Sequence, residues 1–259
     1  MDDAASSPPQ LSIDATGRAT ITLNRPAHRN RLHREDLAAM RGHLATIAAD
    51  PAVRVLVLAA HGPAFCAGFH LGEFEGPAQA GADPQAFEQM VDALAALPQP
   101  SIARLQGGVY GGATDLALAC DFRVGVNTME LRMPAVRLGL HYYPSGLQRC
   151  VSRLGLQAAK RLFLPAETVG AAELLRIGYL DEAVPLGVLD AHVDALAAAL
   201  QAGAPLALAG MKHSLDEIAR GELDLPRLRE REARCARSAD LREGLAAWAQ
   251  RRVPSFTGS

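Results

Sequence analysis

Residues 106–121 read QGGVYGGATDLALACD, and this stretch decides the fold. Gly107, Gly108, Gly111 and Gly112 leave the backbone bare. An apolar run at helical spacing follows, with Asp115 in its first turn. The stretch comes directly after SIARL (101–105), which has the pattern of a strand, and FRVGV (122–126) reads as the next strand. A strand, a glycine turn, a helix and another strand make a crossover unit, the building block of parallel sheet.

The same alternation extends outward. ATITLN (19–24) is β-branched and alternating, and QLSID before it is expected to pair with it. Leu37, Met40, Leu44 and Ile47 mark one face of a helix over 34–48, stopped at Asp50-Pro51. VRVLVLAA (53–60) is continuously apolar, as a strand buried on both faces should be. HGPAFCAGFH then reads as a turn-rich loop, and 76–84, GPAQAGADP, as a mobile one. Phe87, Met90, Val91, Leu94 and Leu97 define a second amphipathic helix, ended by PQP. Beyond residue 145 helical patterns dominate: Ser145–Leu162, Ala171–Ile177, Leu186–Leu200, Pro205–Ala219, Leu225–Arg237 and Ser238–Arg252, with a short strand near Asp181–Val184. The chain divides into a tail over 1–9, an α/β core over 10–204 and a helical region over 205–259 suited to packing on the core or on another subunit.

Composition narrows the function. The formal net charge is −2, and the Arg-rich segment from Arg220 to Arg252 is interleaved with Glu222, Asp224, Glu230, Glu232, Asp240 and Glu243. That pattern is a solvated helical face; nucleic acid and anionic membrane are not expected partners. Cys66, Cys120, Cys150 and Cys235 are far apart and form no CxxC pair, so they read as small buried residues in a reducing compartment. MDDAASSPPQ lacks the basic head and apolar run of a signal peptide, and no apolar run is long enough to span a bilayer. A cytoplasmic protein is the resulting expectation. No metal site is expected: His70 and His141 have no second ligand at metal-binding spacing.

Two glycine-bearing loops, CAGFH (66–70) and YGGAT (110–114), each follow a buried strand. A loop that opens a helix exposes unpaired N–H groups. One such group from each loop would make a hole for an oxyanion, each donor worth about 3–4 kcal/mol of barrier.

In order and wording, ITLNRPAHRN, VRVLVLAAHGPAFCAGFHL, PQPSIARLQGGVYGGATDLALACDFRV, MPAVRLGL and AAELLRIGYLDEAVP resemble the crotonase superfamily, the enoyl-CoA hydratases and isomerases. The resemblance implies a spiral of β-β-α units, a C-terminal helical region that assembles trimers or hexamers, and an acyl-CoA substrate. Coenzyme A would enter with that substrate, and no separate cofactor is implied. The backbone N–H groups of Phe69 and Gly112 would hold the thioester oxygen, and Ala27, His28, Arg29, Ala67, Gly68 and Leu71 would hold the coenzyme.

The pattern also breaks. Hydratases of the family use two glutamates; the first matches Asp115, and the second falls on Ala135, which transfers no proton. Paired acid–base work contributes roughly 10²–10⁴-fold per group, so ordinary hydration is disfavoured. Tyr142 stands where the related methylmalonyl-CoA decarboxylases carry a tyrosine, making it a second candidate catalyst beside Asp115. An aspartate at position 115 also resembles the dienoyl-CoA isomerases, whose further acid would fall on Tyr143. His70 replaces the usual aspartate after the oxyanion residue, and His70, His141 and Tyr143 are candidate pocket residues. The leading expectation is a thioester-enolate enzyme with one base. Decarboxylation of a malonyl-type CoA and non-catalytic acyl-CoA binding are the alternatives. Arg104, odd in an apolar strand, reads as facing solvent or a subunit, with a counter-charge near the pocket as the sharper option.

Overall fold

The computed structural model describes residues 6–70, 72, 83 and 85–259. Its framework is two sheets climbed in step. The larger has strand order β1 (Gln10–Ile13), β2 (Arg18–Leu23), β3 (Val55–Ala60), β5 (Ser101–Leu105), β7 (Phe122–Val126), β10 (Glu182–Val184). The smaller has order β4 (Ala64–Cys66), β6 (Gly108–Tyr110), β8 (Glu130–Arg132), β9 (Thr168–Gly170). Among the described residues only β1 with β2 and β8 with β9 are antiparallel. Each long strand of the middle of the larger sheet is followed by a short strand in the smaller one, and then by helix. β3 and β4 lead to α2 (Ala86–Ala95), β5 and β6 to α3 (Ala113–Ala119), and β7 and β8 to a 3-10 turn at Ala135–Leu138 and α4 (Pro144–Leu154). These are the turns of the β-β-α spiral.

Burial follows the residue types. β2 alternates between half-buried and buried positions, and β3 is buried along nearly its whole length. α1 (Arg34–Ala49) buries Leu37, Met40, Leu44 and Ile47, the predicted face. α3 is buried at every residue, so it runs through the core rather than over it. α5 (Leu156–Phe163), α6 (Ala171–Arg176) and α7 (Leu189–Gln201) follow; α7 packs on β3, β5 and β7. Tyr179, fully buried, donates its hydroxyl proton to Thr114 O at 2.9 Å and ties the chain after α6 to α3.

The C-terminal helices are α8 (Pro205–Arg220), α9 (Leu225–Ala236) and α10 (Ala239–Gln250). α8 packs on α4, and α9 on α8. The Arg/Glu interleaving appears as surface pairs, among them Arg229–Glu232 and Arg252–Glu243, while Met211, Leu215, Leu245 and Trp248 stay exposed. Among the described residues no single helix is long and apolar enough to cross a membrane.

Several expectations are corrected. The segment HGPAFCAGFH is not all loop, because Ala64–Cys66 forms β4. Ser145–Leu162 is two helices; Gly155, at φ +80°, ends α4 and starts α5. The tail does not extend to residue 9. Ser7 N donates to Asn24 O at 3.0 Å, Pro9 is buried, and Pro9 O lies 2.8 Å from His43 Nε2. Arg104, read as facing solvent or a subunit, has a partner in its own chain: its Nε meets Oδ1 of Asp190 on α7 at 2.5 Å. The 76–84 loop lies outside the described residues, save residue 83.

Candidate active site

The smaller sheet brings the two glycine loops together. β4 and β6 pair in parallel, with Ala64 opposite Gly108 and Cys66 opposite Val109. Past their ends the chains touch. Gly68 has φ +84°, and a Cβ there would stand 2.7 Å from Tyr110 O and 2.9 Å from Gly112 N. Only a glycine permits that approach. Gly112 begins α3, and its N–H makes no hydrogen bond among the described residues.

The 67–70 loop is strapped to the segment after β2. Ala67 N donates to Arg29 O at 2.8 Å, Leu32 N to Gly68 O at 2.8 Å, and His70 N to Leu32 O at 2.9 Å. Phe69 and Leu32 thereby form an isolated parallel bridge. Buried Asn30 fixes the segment from inside, donating through Nδ2 to His61 O at 2.7 Å and Ala64 O at 3.0 Å. The two stretches expected to hold coenzyme A, around Ala27, His28 and Arg29 and around Ala67 and Gly68, are thus one continuous surface, with His28 and Arg29 exposed on it. Leu71 lies outside the described residues.

Asp115 sits on the first turn of α3, 3% exposed. Its Oδ2 accepts from Tyr143 Oη at 2.6 Å and from Arg149 Nη1 at 2.5 Å. Arg149, on α4 and itself buried, reaches Asp92 of α2 with Nη2 at 2.5 Å. Asp115 Oδ1 is buried and has no hydrogen-bond partner among the described residues. Burial works against the charge of Arg149, and Asp115 with Asp92 behind it more than restores it, so the guanidinium is held above its ordinary range.

The two tyrosines differ. Tyr142 is buried and stacks on Tyr143 at 4.2 Å, and its hydroxyl donates to Tyr143 Oη at 3.2 Å. Tyr143, not Tyr142, touches Asp115. Burial first, and the Asp115 charge second, push both phenols well above their usual value. Both therefore stay protonated as donors. His141 is exposed, its Nδ1 2.8 Å from Tyr142 O, and does not enter this cluster. The His70 ring lies 4.8 Å from that of His33, tilted by 39°, beside the stretch expected to hold the coenzyme.

Aromatic rings close the space above Gly112. A Cβ on Gly112 would stand 2.7 Å from Phe87 Cζ, and the Phe87 ring lies 6.0 Å from Phe69 and 5.9 Å from Tyr143. Ala135 begins the 3-10 turn three residues past Arg132, which pairs with Tyr110 on β6. It is 4% exposed and carries no carboxylate. Cys66, beside the oxyanion loop, donates through Sγ to Asn30 O at 3.0 Å, and burial pushes its thiol up to about 12. It is a protonated core residue, not a nucleophile. Among the described residues no group of His, Cys, Asp and Glu could hold a metal ion. Sequence reasoning missed Arg149 and Phe87 as site residues; both stood in helices read only for their apolar faces.

Comparisons with known proteins give the chain a family. The family model for enoyl-CoA hydratase/isomerase matches residues 15–259. The enoyl-CoA isomerase/hydratase fer4 of Mycosarcoma maydis is 33% identical over 270 residues, covering 96% of each chain. A probable enoyl-CoA hydratase of Rhodobacter capsulatus is 34% identical over 250 residues, covering 93% of this chain and 95% of that one. Among solved structures, an enoyl-CoA hydratase/carnithine racemase from Magnetospirillum magneticum superposes with a TM-score of 0.91 at 28% identity, covering 98% of this chain and 96% of that one. DspI of Pseudomonas aeruginosa superposes with 0.88 at 30% identity, covering 99% and 98%. With a family model matched over nearly its whole length, this chain belongs to the enoyl-CoA hydratase/isomerase family, of the crotonase superfamily.

Proposed function

We propose that this protein converts an acyl-CoA thioester by stabilising its enolate, and that it moves a double bond rather than adding water. The thioester carbonyl lies against the amides of Phe69 and Gly112, whose loops the Gly68 contact holds together. Negative charge that develops on that oxygen meets two fixed donors and the start of α3, already oriented before the reaction. Asp115 is the base. It takes a proton from the carbon next to the carbonyl, the electron pair passes into the enolate, and the proton returns at the far end of the conjugated system. No second acid, oxidant or cofactor is needed.

The observation that carries the choice is that, among the described residues, Asp115 is the carboxylate beside Gly112 and position 135 offers none. Asp115 stands beside Gly112, and position 135, just beyond the partner strand, holds alanine. Hydration needs one group to activate water and another to protonate carbon. Decarboxylation of a malonyl-type CoA is less well supported, because the Tyr142 hydroxyl that would orient the leaving carboxylate is committed to Tyr143.

The test is a substrate panel with the wild type and Asp115→Asn. A 3-enoyl-CoA should be converted to its 2-enoyl isomer, with hydration of crotonyl-CoA far slower. Asp115→Asn should lose roughly 10²–10⁴-fold in kcat while still binding the ester. Crotonyl-CoA hydration at a rate equal to isomerisation, or turnover that survives Asp115→Asn, overturns the reading. Release of CO₂ from malonyl-type esters would replace it with decarboxylation. Tight ester binding without any conversion would leave a binding protein.

A further inference from the structure

We infer that Arg149 is a positioning residue that makes Asp115 a charged base with one working oxygen. The inference rests on the proposed role of Asp115 and adds the group that sets it. Three observations converge. Asp115 is buried, so a carboxylate there keeps its charge only beside a compensating one. Arg149 supplies it, Nη1 on Oδ2 at 2.5 Å, and is anchored from behind by Asp92 at 2.5 Å. Tyr143 takes the remaining donor direction on the same oxygen at 2.6 Å. Both donors therefore meet at Oδ2, and among the described residues Oδ1 is left buried and unpartnered. The oxygen without a partner is the one able to accept a proton from carbon.

The chain of contacts fixes direction as well as charge. A guanidinium held between two carboxylates has little rotational freedom, since its planar fork is pre-organised. α4 thus reaches through Arg149 to both α3 and α2, and sets the angle at which Asp115 faces the substrate. On the outer side of Arg149 a cavity of about 300 Å³, lined also by Asp92, Ser145 and Arg153, gives small solutes access to the guanidinium's place.

That access supplies the test. Arg149→Ala, Arg149→Lys and Asp115→Asn are assayed with the 3-enoyl ester for kcat and KM, with thermal unfolding measured in parallel. Arg149→Ala should lose about 100-fold or more in kcat, the cost of a misplaced reacting group, with KM changed less than about threefold. Millimolar guanidinium should restore part of that loss along a saturating curve, and no such gain should appear with Asp115→Asn. Arg149→Lys keeps the charge but not the fork, so it should recover about tenfold over Arg149→Ala while remaining below wild type. If Arg149→Ala does not fold, Arg149→Lys alone decides: wild-type kcat overturns the inference, and reduced kcat with unchanged KM and melting temperature supports it. A parallel fall in kcat, affinity and stability, without rescue by Lys or guanidinium, makes Arg149 a structural strut and overturns it. Turnover that survives Asp115→Asn defeats the proposed base itself, a different failure.

Discussion

Gly68→Ala tests the central geometry, because that glycine stands where the two loops meet. The substitution adds one carbon and asks for two things. The first is an alanine at φ +84°, which costs about 1–2 kcal/mol. The second is room. The new Cβ would stand 2.7 Å from Tyr110 O and 2.9 Å from Gly112 N, both backbone atoms, where van der Waals contact needs about 3.5 Å, so the loops must separate by roughly 0.6–0.8 Å. Overpacking of this kind adds about 1–3 kcal/mol. A total of about 2–5 kcal/mol should lower the melting temperature by roughly 5–15 °C in a chain of this size. The separation acts on the Gly112 amide itself, and misplacement on this scale should cost kcat about 10–100-fold. Gly221→Ala is the control. Gly221 has φ +72° with open space around its Cβ position, so it carries the backbone penalty without the collision. It should lose about 1–2 kcal/mol and no activity. Steady-state kinetics and calorimetry on both variants decide the matter. If Gly68→Ala keeps kcat within twofold of wild type, the two amides are not a single oxyanion site.

Phe87→Ala should open the space over Gly112 and raise kcat/KM for bulky or branched acyl-CoA esters relative to short ones; an unchanged chain-length profile would remove Phe87 from the acyl pocket. Tyr179→Phe should cost about 1 kcal/mol in urea unfolding, by losing the bond to Thr114 O, with kcat unchanged, since the hydroxyl lies behind α3. Burial pushes the thiols of Cys66, Cys120 and Cys150 up to about 12. Above pH about 9 the unfolded chain sheds these protons and the folded chain does not, so stability falls by about 1.4 kcal/mol per pH unit per thiol until pH about 12. Urea midpoints measured from pH 8 to 10 should show that decline, and iodoacetamide at pH 8 should leave these three cysteines unlabelled in the native protein. Ala135→Glu places a second carboxylate past β8 and should raise hydration of crotonyl-CoA relative to isomerisation about tenfold or more; a ratio that does not move counts against position 135 as the missing acid.

The strands of the larger sheet were legible, down to the short β1 and β10, and those of the smaller sheet were not. β2 and β3 announce themselves because six residues of alternating or unbroken apolar pattern have few other readings. The strands of the smaller sheet have three residues each, too few for a period, and β4 was hidden in a segment rich in turn residues. The break at Gly155 has no periodic signature, because apolar spacing continues on both sides of it and only a positive φ breaks the helix. The site divides in the same way. Glycines that let two backbones touch can be seen in a sequence, and so can an aspartate in a helix's first turn. Which of two adjacent tyrosines meets that aspartate depends on one extended residue, Tyr143 at φ −75°, ψ 155°, ahead of α4. Arg149 lies in an amphipathic helix, where an arginine at that spacing reads as solvent-facing; its burial against Asp115 is a tertiary fact with no local signature.

The arginine and the alanine make sense together. Once Asp115 has taken up a proton, the buried guanidinium beside it has lost its counter-charge, so that proton should not stay there long. Such a group suits a reaction in which one proton is taken and the same proton is given back at once. A hydratase asks more, because water and carbon need proton transfer at two places and two groups to perform it. Restoring a glutamate at position 135 without relaxing the grip on Asp115 would supply a second group but leave the first unable to exchange roles with it. On the proposed reading, then, Ala135→Glu should gain hydration mainly through the new glutamate, and adding Arg149→Lys to it should change the hydration rate by less than it lowers isomerisation. Equal losses in both reactions would mean that the clamp serves every proton transfer alike, and the division of labour argued from Oδ1 and Oδ2 would fail.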